Sequence, residues 1–205
     1  MLIFEFMFFK DSSSCKLESN NLIFFNINFL NSDSNIKSLN ILVIGAGMYV
    51  SGRGTSGFGT ILPALSEWKR NSSISEINIS CAATSHSSVN ALIEKANKLS
   101  NLTKVDLDIS IYPNKNQVSE KPYLDALKAM KHPACSIIVV PDHLHFQVTK
   151  DCLDAGVHPL VVKPLTPTYK ESKELCKIAA DKNLYGAVEF HKRWDKSNLI
   201  LRDKI

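Results

Sequence analysis

The residues able to do chemistry gather in a few short stretches. Gly45-Ala46-Gly47 directly follows the apolar run Ile41-Leu42-Val43-Ile44. Two glycines after a strand allow a tight turn and let bare backbone N–H groups approach an anion at a helix start. A diphosphate fits that description, with Gly45, Gly47 and Met48 as its expected contacts. The pattern's third glycine is missing, because position 50 is Val. The loop instead runs on through Ser51-Gly52-Arg53-Gly54-Thr55-Ser56-Gly57-Phe58-Gly59 before a helix begins. This reads as an insertion, in which Gly57 or Gly59 serves the helix–strand contact. A Gly-rich surface loop without a ligand is the plain alternative. Arg53 is placed to reach a phosphate or a substrate carboxylate, or simply to stand in water.

At the end of the next strand an acid would normally grip ribose hydroxyls. The residues there are Ala83-Thr84-Ser85-His86. Hydroxyls accept either a ribose or a 2′-phosphate, so Thr84 and Ser85 are expected cofactor contacts. The balance leans from strict NAD toward NADP or dual use. Further along stand Val140-Pro141-Asp142-His143-Leu144-His145 and, eighteen residues after His145, Lys163-Pro164. Pro141, Asp142 and His145 lie where the chain leaves a strand, and Asp142 would equally serve as an N-cap. Lys163 follows another strand, at the end of a parallel sheet where ligands bind. An ammonium there stabilises developing alkoxide charge; elsewhere it would be a solvated surface charge. His143-x-His145 lacks a third nearby ligand, so no metal site is expected.

These stretches need elements to hold them. From Asn40 onward, apolar runs of strand length alternate with segments of helical period, the signature of βαβ units. Strands are expected at 41–44, 77–83, 107–112, 136–140, 160–162 and 185–189. Helices are expected at 61–69, 87–99, 123–131, 145–155 and from a Thr168–Glu171 capping box to about 182. Gly156 sits where a left-handed C-terminal cap is wanted. The expected fold is α/β: one doubly wound parallel sheet, the Rossmann arrangement, over residues 39–195. Residues 11–20 and 31–38 are rich in Ser, Asn and Asp, and neither apolar patch before residue 38 reaches membrane-span length, so residues 1–38 read as a poorly ordered extension, with an atypical targeting segment as the rival reading.

Composition narrows the class. Hydrophobic residues make up 44% and charged residues 21%, which suits a globular domain. The net charge of +4 comes without a Lys/Arg tract, so neither nucleic acid nor membrane is an expected partner. Five scattered cysteines contain no C-x-x-C pair, which argues for free thiols in a reducing compartment, the cytoplasm.

Several of these motifs, in order, resemble the Gfo/Idh/MocA family (glucose–fructose oxidoreductase, inositol dehydrogenase, MocA). That family carries T-P-N-x-x-H after its fourth strand, then A-G-K-H-V, then E-K-P. The counterparts here are Val140 to His145, Ala155-Gly156-Val157-His158-Pro159 and Val162-Lys163-Pro164. Glu189-Phe190-His191-Lys192-Arg193-Trp194-Asp195 is similar to the segment after the sixth strand. The resemblance implies an NAD(P)-dependent oxidoreductase acting on a hydroxyl of a sugar, cyclitol or similar polyol. It implies that Lys163 lies by the nicotinamide as the catalytic residue. Arg193 reads as a substrate or cofactor contact, or equally as part of a surface salt bridge. The departures are Asp142 for Asn, Val162 for Glu, and the expanded glycine loop. The family's C-terminal α/β domain, which supplies the dimerising sheet and a proton-transferring His, is expected to be missing after residues 196–205. A homo-oligomer is expected only where that domain is present. The chain is therefore expected to bind a dinucleotide and turn over poorly, with a catalytically silent nucleotide-binding or regulatory module as the alternative.

Overall fold

The computed structural model describes residues 6–9, 36–114, 119–190, 192 and 196–204. Seven strands form one sheet: β1 (Phe6–Phe9), β2 (Ser38–Ile44), β3 (Glu76–Ala82), β4 (Ile109–Tyr112), β5 (Ala134–Ile138), β6 (His158–Val162) and β7 (Gly186–Glu189). Their order is β1-β7-β6-β5-β2-β3-β4. The six strands from β2 onward pair in parallel. The chain runs outward from β2 through β3 to β4, then returns to β5 on the other side. The switch point therefore lies between β2 and β5, where ligands enter such sheets.

Both faces of the sheet are covered, which is why its central strands read as unbroken apolar runs. Leu39, Ile41 and Val43 of β2 face one layer, packed with Ile61, Leu62 and Leu65 of α2 (Ile61–Asn71) and Leu92, Ala96 and Leu99 of α3 (His86–Thr103). Leu42 and Ile44 face the other, against α4 (Pro122–Ala129) and α5 (His145–Asp154). A third cluster seats Leu175 and Ala179 of α6 (Tyr169–Asp181) on Leu153, Leu184 and Val188. Two short helices complete the set, α1 (Met48–Ser51) and α7 (Lys196–Arg202).

The expected elements are present, with ends moved by a few residues. Of residues 1–38, expected as a poorly ordered extension, residues 1–5 and 10–35 lie outside the described residues. Ser38 already belongs to β2, and Phe6–Phe9 form β1, antiparallel to β7 with Phe6 opposite Glu189. A Phe-Met-Phe-Phe run has strong strand propensity, and the outer edge of β7 offers it unpaired N–H and C=O groups. The glycine loop also differs. A helix starts at once as α1 and stops at Gly52, whose φ of 71° is left-handed. The Thr60 N–H then donates to the Tyr49 carbonyl at 2.7 Å, so residues 52–59 are an excursion between α1 and α2. Among the described residues, no helix is long and apolar enough to cross a membrane.

Candidate functional site

The glycine turn is pinned from both neighbouring strands. The Gly45 N–H donates to the Ala82 carbonyl of β3 at 2.8 Å, and the Val139 N–H donates to the Ile44 carbonyl at 2.9 Å. A Cβ on Gly45 would stand 2.1 Å from the Val139 carbonyl oxygen, and its φ is 108°. Only glycine satisfies both conditions. Gly47 differs: nothing lies within 4 Å of where its Cβ would be. The backbone there faces open space at the N-terminus of α1, the room an approaching diphosphate requires. Met48 follows, 63% exposed. The missing third glycine is explained by Val50, which is 1% exposed and belongs to the core beneath the turn. Gly59 makes a close backbone approach: a Cβ there would meet Gly52 N at 2.6 Å and Tyr49 O at 2.8 Å. It closes the excursion on itself rather than contacting a strand.

That excursion delivers Arg53 to the start of α3. Its Nη1 donates to Ser88 Oγ at 2.6 Å and reaches Ser87 Oγ at 3.4 Å. Ser85 is the N-cap of α3, its hydroxyl accepting from the Ser88 N–H at 3.4 Å. Thr84 and Ser85 are exposed at this end of β3. A guanidinium, three serine hydroxyls and a helix N-terminus thus share one corner of the sheet edge.

On the other side of the switch point, Pro141 and Asp142 are exposed, and Asp142 opens a single 3-10 turn that leads into α5. Asp142 does not cap α5, whose N-cap is Leu144 without a side-chain bond. His145 is not in the open crevice. Its ring is fully buried, with Nδ1 2.5 Å from the Pro164 carbonyl and Nε2 2.9 Å from the Val140 carbonyl. It ties the Pro141–Asp142 loop to the Lys163–Pro164 loop, and its place is to position them. Its ring nitrogens face these two carbonyls inside the core, away from the exposed His143. Lys163 is exposed just after β6, and its backbone N–H donates to the Glu189 carbonyl at 3.2 Å. Arg193 lies outside the described residues. Among the described residues, no three His, Cys, Asp or Glu gather to hold a metal.

Sequence reasoning assigned no role to Tyr49 or Glu189. The Tyr49 hydroxyl donates to Glu189 Oε2 at 2.9 Å, and Glu189 is 1% exposed. Burial first, then the negative charge of Glu189 and the bond to it, hold the Tyr49 phenol well above its ordinary pKa. It stays a neutral donor. The signal that could have exposed Glu189 is the strand register, since it stands directly opposite Val162.

A pinned glycine turn with open space beyond it, at the switch point of a parallel sheet, is the geometry of a dinucleotide crevice. Residues 39–190 match the oxidoreductase family Gfo/Idh/MocA, described by its NAD-binding Rossmann fold. The chain belongs to this family. An uncharacterised oxidoreductase of Schizosaccharomyces pombe is 37% identical over 86 residues, which are 42% of this chain and 23% of that protein. Scyllo-inositol 2-dehydrogenase (NADP(+)) IolW of Bacillus subtilis is 33% identical over 75 residues, 36% of this chain and 21% of that protein. The crystal structure of myo-inositol 2-dehydrogenase from Lactobacillus plantarum superposes with a TM-score of 0.51 at 20% identity, over 78% of this chain and 39% of that one. It shares the fold. The chain thus spans about two fifths of that solved structure's length.

Proposed function

We propose that this Gfo/Idh/MocA domain holds the dinucleotide of an NADP-preferring dehydrogenase that acts on a hydroxyl of a cyclitol, sugar or similar polyol. The observation that carries the reading is the open backbone at Gly47, beside the rigid turn at the switch point of the sheet. The residues fit the group: Gly45 shapes the turn, while Gly47 and Met48 present N–H groups and the N-terminus of α1 to the diphosphate. The nicotinamide, when bound, supplies hydride chemistry. This chain's own residues bind and orient. Lys163 meets the substrate hydroxyl and stabilises the charge that develops as its proton leaves. His145 keeps the Lys163–Pro164 and Pro141–Asp142 loops in register, so that Lys163 and Asp142 face one crevice.

The preference for NADP rests on the corner of Arg53, Ser85, Ser87 and Ser88. No carboxylate stands at 83–86 to grip ribose hydroxyls or to repel a phosphate. An arginine beside hydroxyls and a helix N-terminus suits a phosphate dianion. The polyol class is supported by the relatives named for scyllo- and myo-inositol. Three buried free cysteines (Cys81, Cys135 and Cys152) fit a reducing compartment, and we place the chain in the cytoplasm.

Fluorescence titration with NADPH and NADH tests the cofactor. NADPH is expected to bind more tightly, and Arg53→Ala to remove most of the difference. Equal affinities that Arg53→Ala leaves unchanged would refute the preference. A panel of inositols and sugars with NADP tests the reaction in the whole protein. Lys163→Ala should keep cofactor affinity and lower kcat by about a hundredfold or more; undiminished turnover would remove Lys163 from the mechanism.

A further inference from the structure

The excursion at residues 52–59 holds Gly52, Gly54, Gly57 and Gly59, a composition that costs much conformational freedom to order. Its inner bonds are local. The Thr55 N–H donates to the Gly52 carbonyl at 2.9 Å, and the Gly57 N–H donates to Thr55 Oγ1 at 3.2 Å. A further hold comes from α3. Lys95 Nζ donates to the Thr55 carbonyl at 2.8 Å and to the Gly57 carbonyl at 2.7 Å. The same ammonium stands 5.6 Å from the ring centroid of Phe58, which packs against the core, within reach of a cation–π contact. A compact head with three donors suits carbonyls that converge on it. Hydrogen bonds with a charged partner are also the stronger class. Ser88, which accepts from Arg53, precedes Lys95 on the same helix. Their spacing is about two helical turns, so both face one way, about 10 Å apart. The excursion is thus fastened to one face of α3 at two points, by Arg53 at the sheet edge and by Lys95 further along.

We infer that Lys95 is a positioning residue that sets Arg53 beside Ser87 and Ser88, and so sets how strongly the chain tells a phosphorylated adenosine ribose from an unphosphorylated one. An arginine on a loose glycine-rich loop must be ordered as it meets a phosphate, and that ordering subtracts from affinity. A guanidinium already in place avoids the loss. Lys95 stands two turns of α3 away from Ser88 and acts through the loop. Its influence therefore falls on NADPH, which carries the 2′-phosphate, and spares NADH, which does not. The inference rests on the NADP reading above and adds to it the residue that tunes the preference.

The test pairs hydrogen exchange over residues 52–59 of the unliganded full chain with the ratio of NADH to NADPH dissociation constants. Lys95→Met keeps the apolar stem and a good helix former but removes the ammonium. It should speed exchange in the excursion and reduce the NADPH preference, each by about tenfold, the scale of a charged hydrogen bond. Lys95→Arg keeps a cation with donors and should hold both readings near wild type. In an Arg53→Ala background, Lys95→Met should leave the ratio where Arg53→Ala alone puts it, because the two act as one unit. Unchanged exchange, an unchanged ratio, equal weakening of both forms, or the same drop in the Arg53→Ala background would overturn the inference. Where exchange rises throughout the chain, Lys95→Gln decides by the same two readings. A wild-type chain that binds NADPH and NADH alike, or neither, would instead defeat the NADP reading, and this inference with it.

Discussion

At the residue scale, the two glycines of the turn do different work, and substitution separates them. Gly45→Ala drives a methyl into the Val139 carbonyl and strains a left-handed φ. It should cost about 2 kcal/mol or more in chemical denaturation. Gly47 has a φ of −75° and free space around it. Gly47→Ala should leave the denaturation midpoint nearly unchanged while weakening NADPH binding, because its methyl occupies the diphosphate's room. If both variants lost stability alike, the turn would be a structural feature only. The Gly45–Gly47 spacing and Lys163 are legible in the sequence, since a strand, two glycines and a Lys-Pro pair are local signals. The Tyr49–Glu189 bond is not, because it joins residues 140 apart in the chain and only the strand register brings them together. His145 misleads for a related reason. A polar residue in a motif suggests ligand contact, yet its ring turns inward and lies between two main-chain carbonyls in the core.

At the scale of elements, the strands are legible as short unbroken apolar runs and the amphipathic helices by their period of 3.6. The short α1 is not. It is a single turn without a side-chain cap, below the length at which period is visible. Strand β1 escapes for another reason: its pairing depends on the edge of β7, a feature far away in sequence. The capping box at α6 is present in altered form. Thr168 Oγ1 accepts from the Glu171 N–H at 3.3 Å and donates to the Glu171 carboxylate at 2.7 Å. Thr168→Ala should cost about 1 kcal/mol, read by urea denaturation. Asp154 joins the ends of two helices, bonded to Lys150 at 2.7 Å and Lys182 at 3.2 Å. The Lys150 bond, foremost, lowers its pKa below 3.8. A carboxylate with a lowered folded pKa adds stability above its unfolded pKa and loses it as pH falls through the folded one. These groups are substantially exposed, so Asp154→Asn should cost only about 0.5 kcal/mol at neutral pH. The difference should vanish in acid.

At the scale of the whole molecule, the layers act together on the thiols. Cys81, Cys135 and Cys152 lie within the packed sheet, and burial pushes each thiol up to about 12. A thiol whose folded pKa is raised contributes stability below its unfolded pKa, near 9.0. That contribution is lost as pH climbs from there toward 12. Native alkylation at pH 8 should therefore label the half-buried Cys176 before these three, which should react only after denaturation. Rapid native labelling of Cys81, Cys135 and Cys152 alongside Cys176 would mean the layers open far more readily than this packing implies. Fold class is readable from the alternation of strands and helices, because the six parallel strands must be covered on both faces. The corner of Arg53 and the serines is readable only in part. The absent acid at 83–86 shows in the sequence, but the reach of Arg53 depends on how residues 52–59 fold back. The most direct test of the central claim is a crystal of the full chain soaked with NADPH. The diphosphate is expected against the backbone of Gly47 and Met48, with the 2′-phosphate beside Arg53 and Ser85. A crevice that stays empty at saturating NADPH would contradict the account.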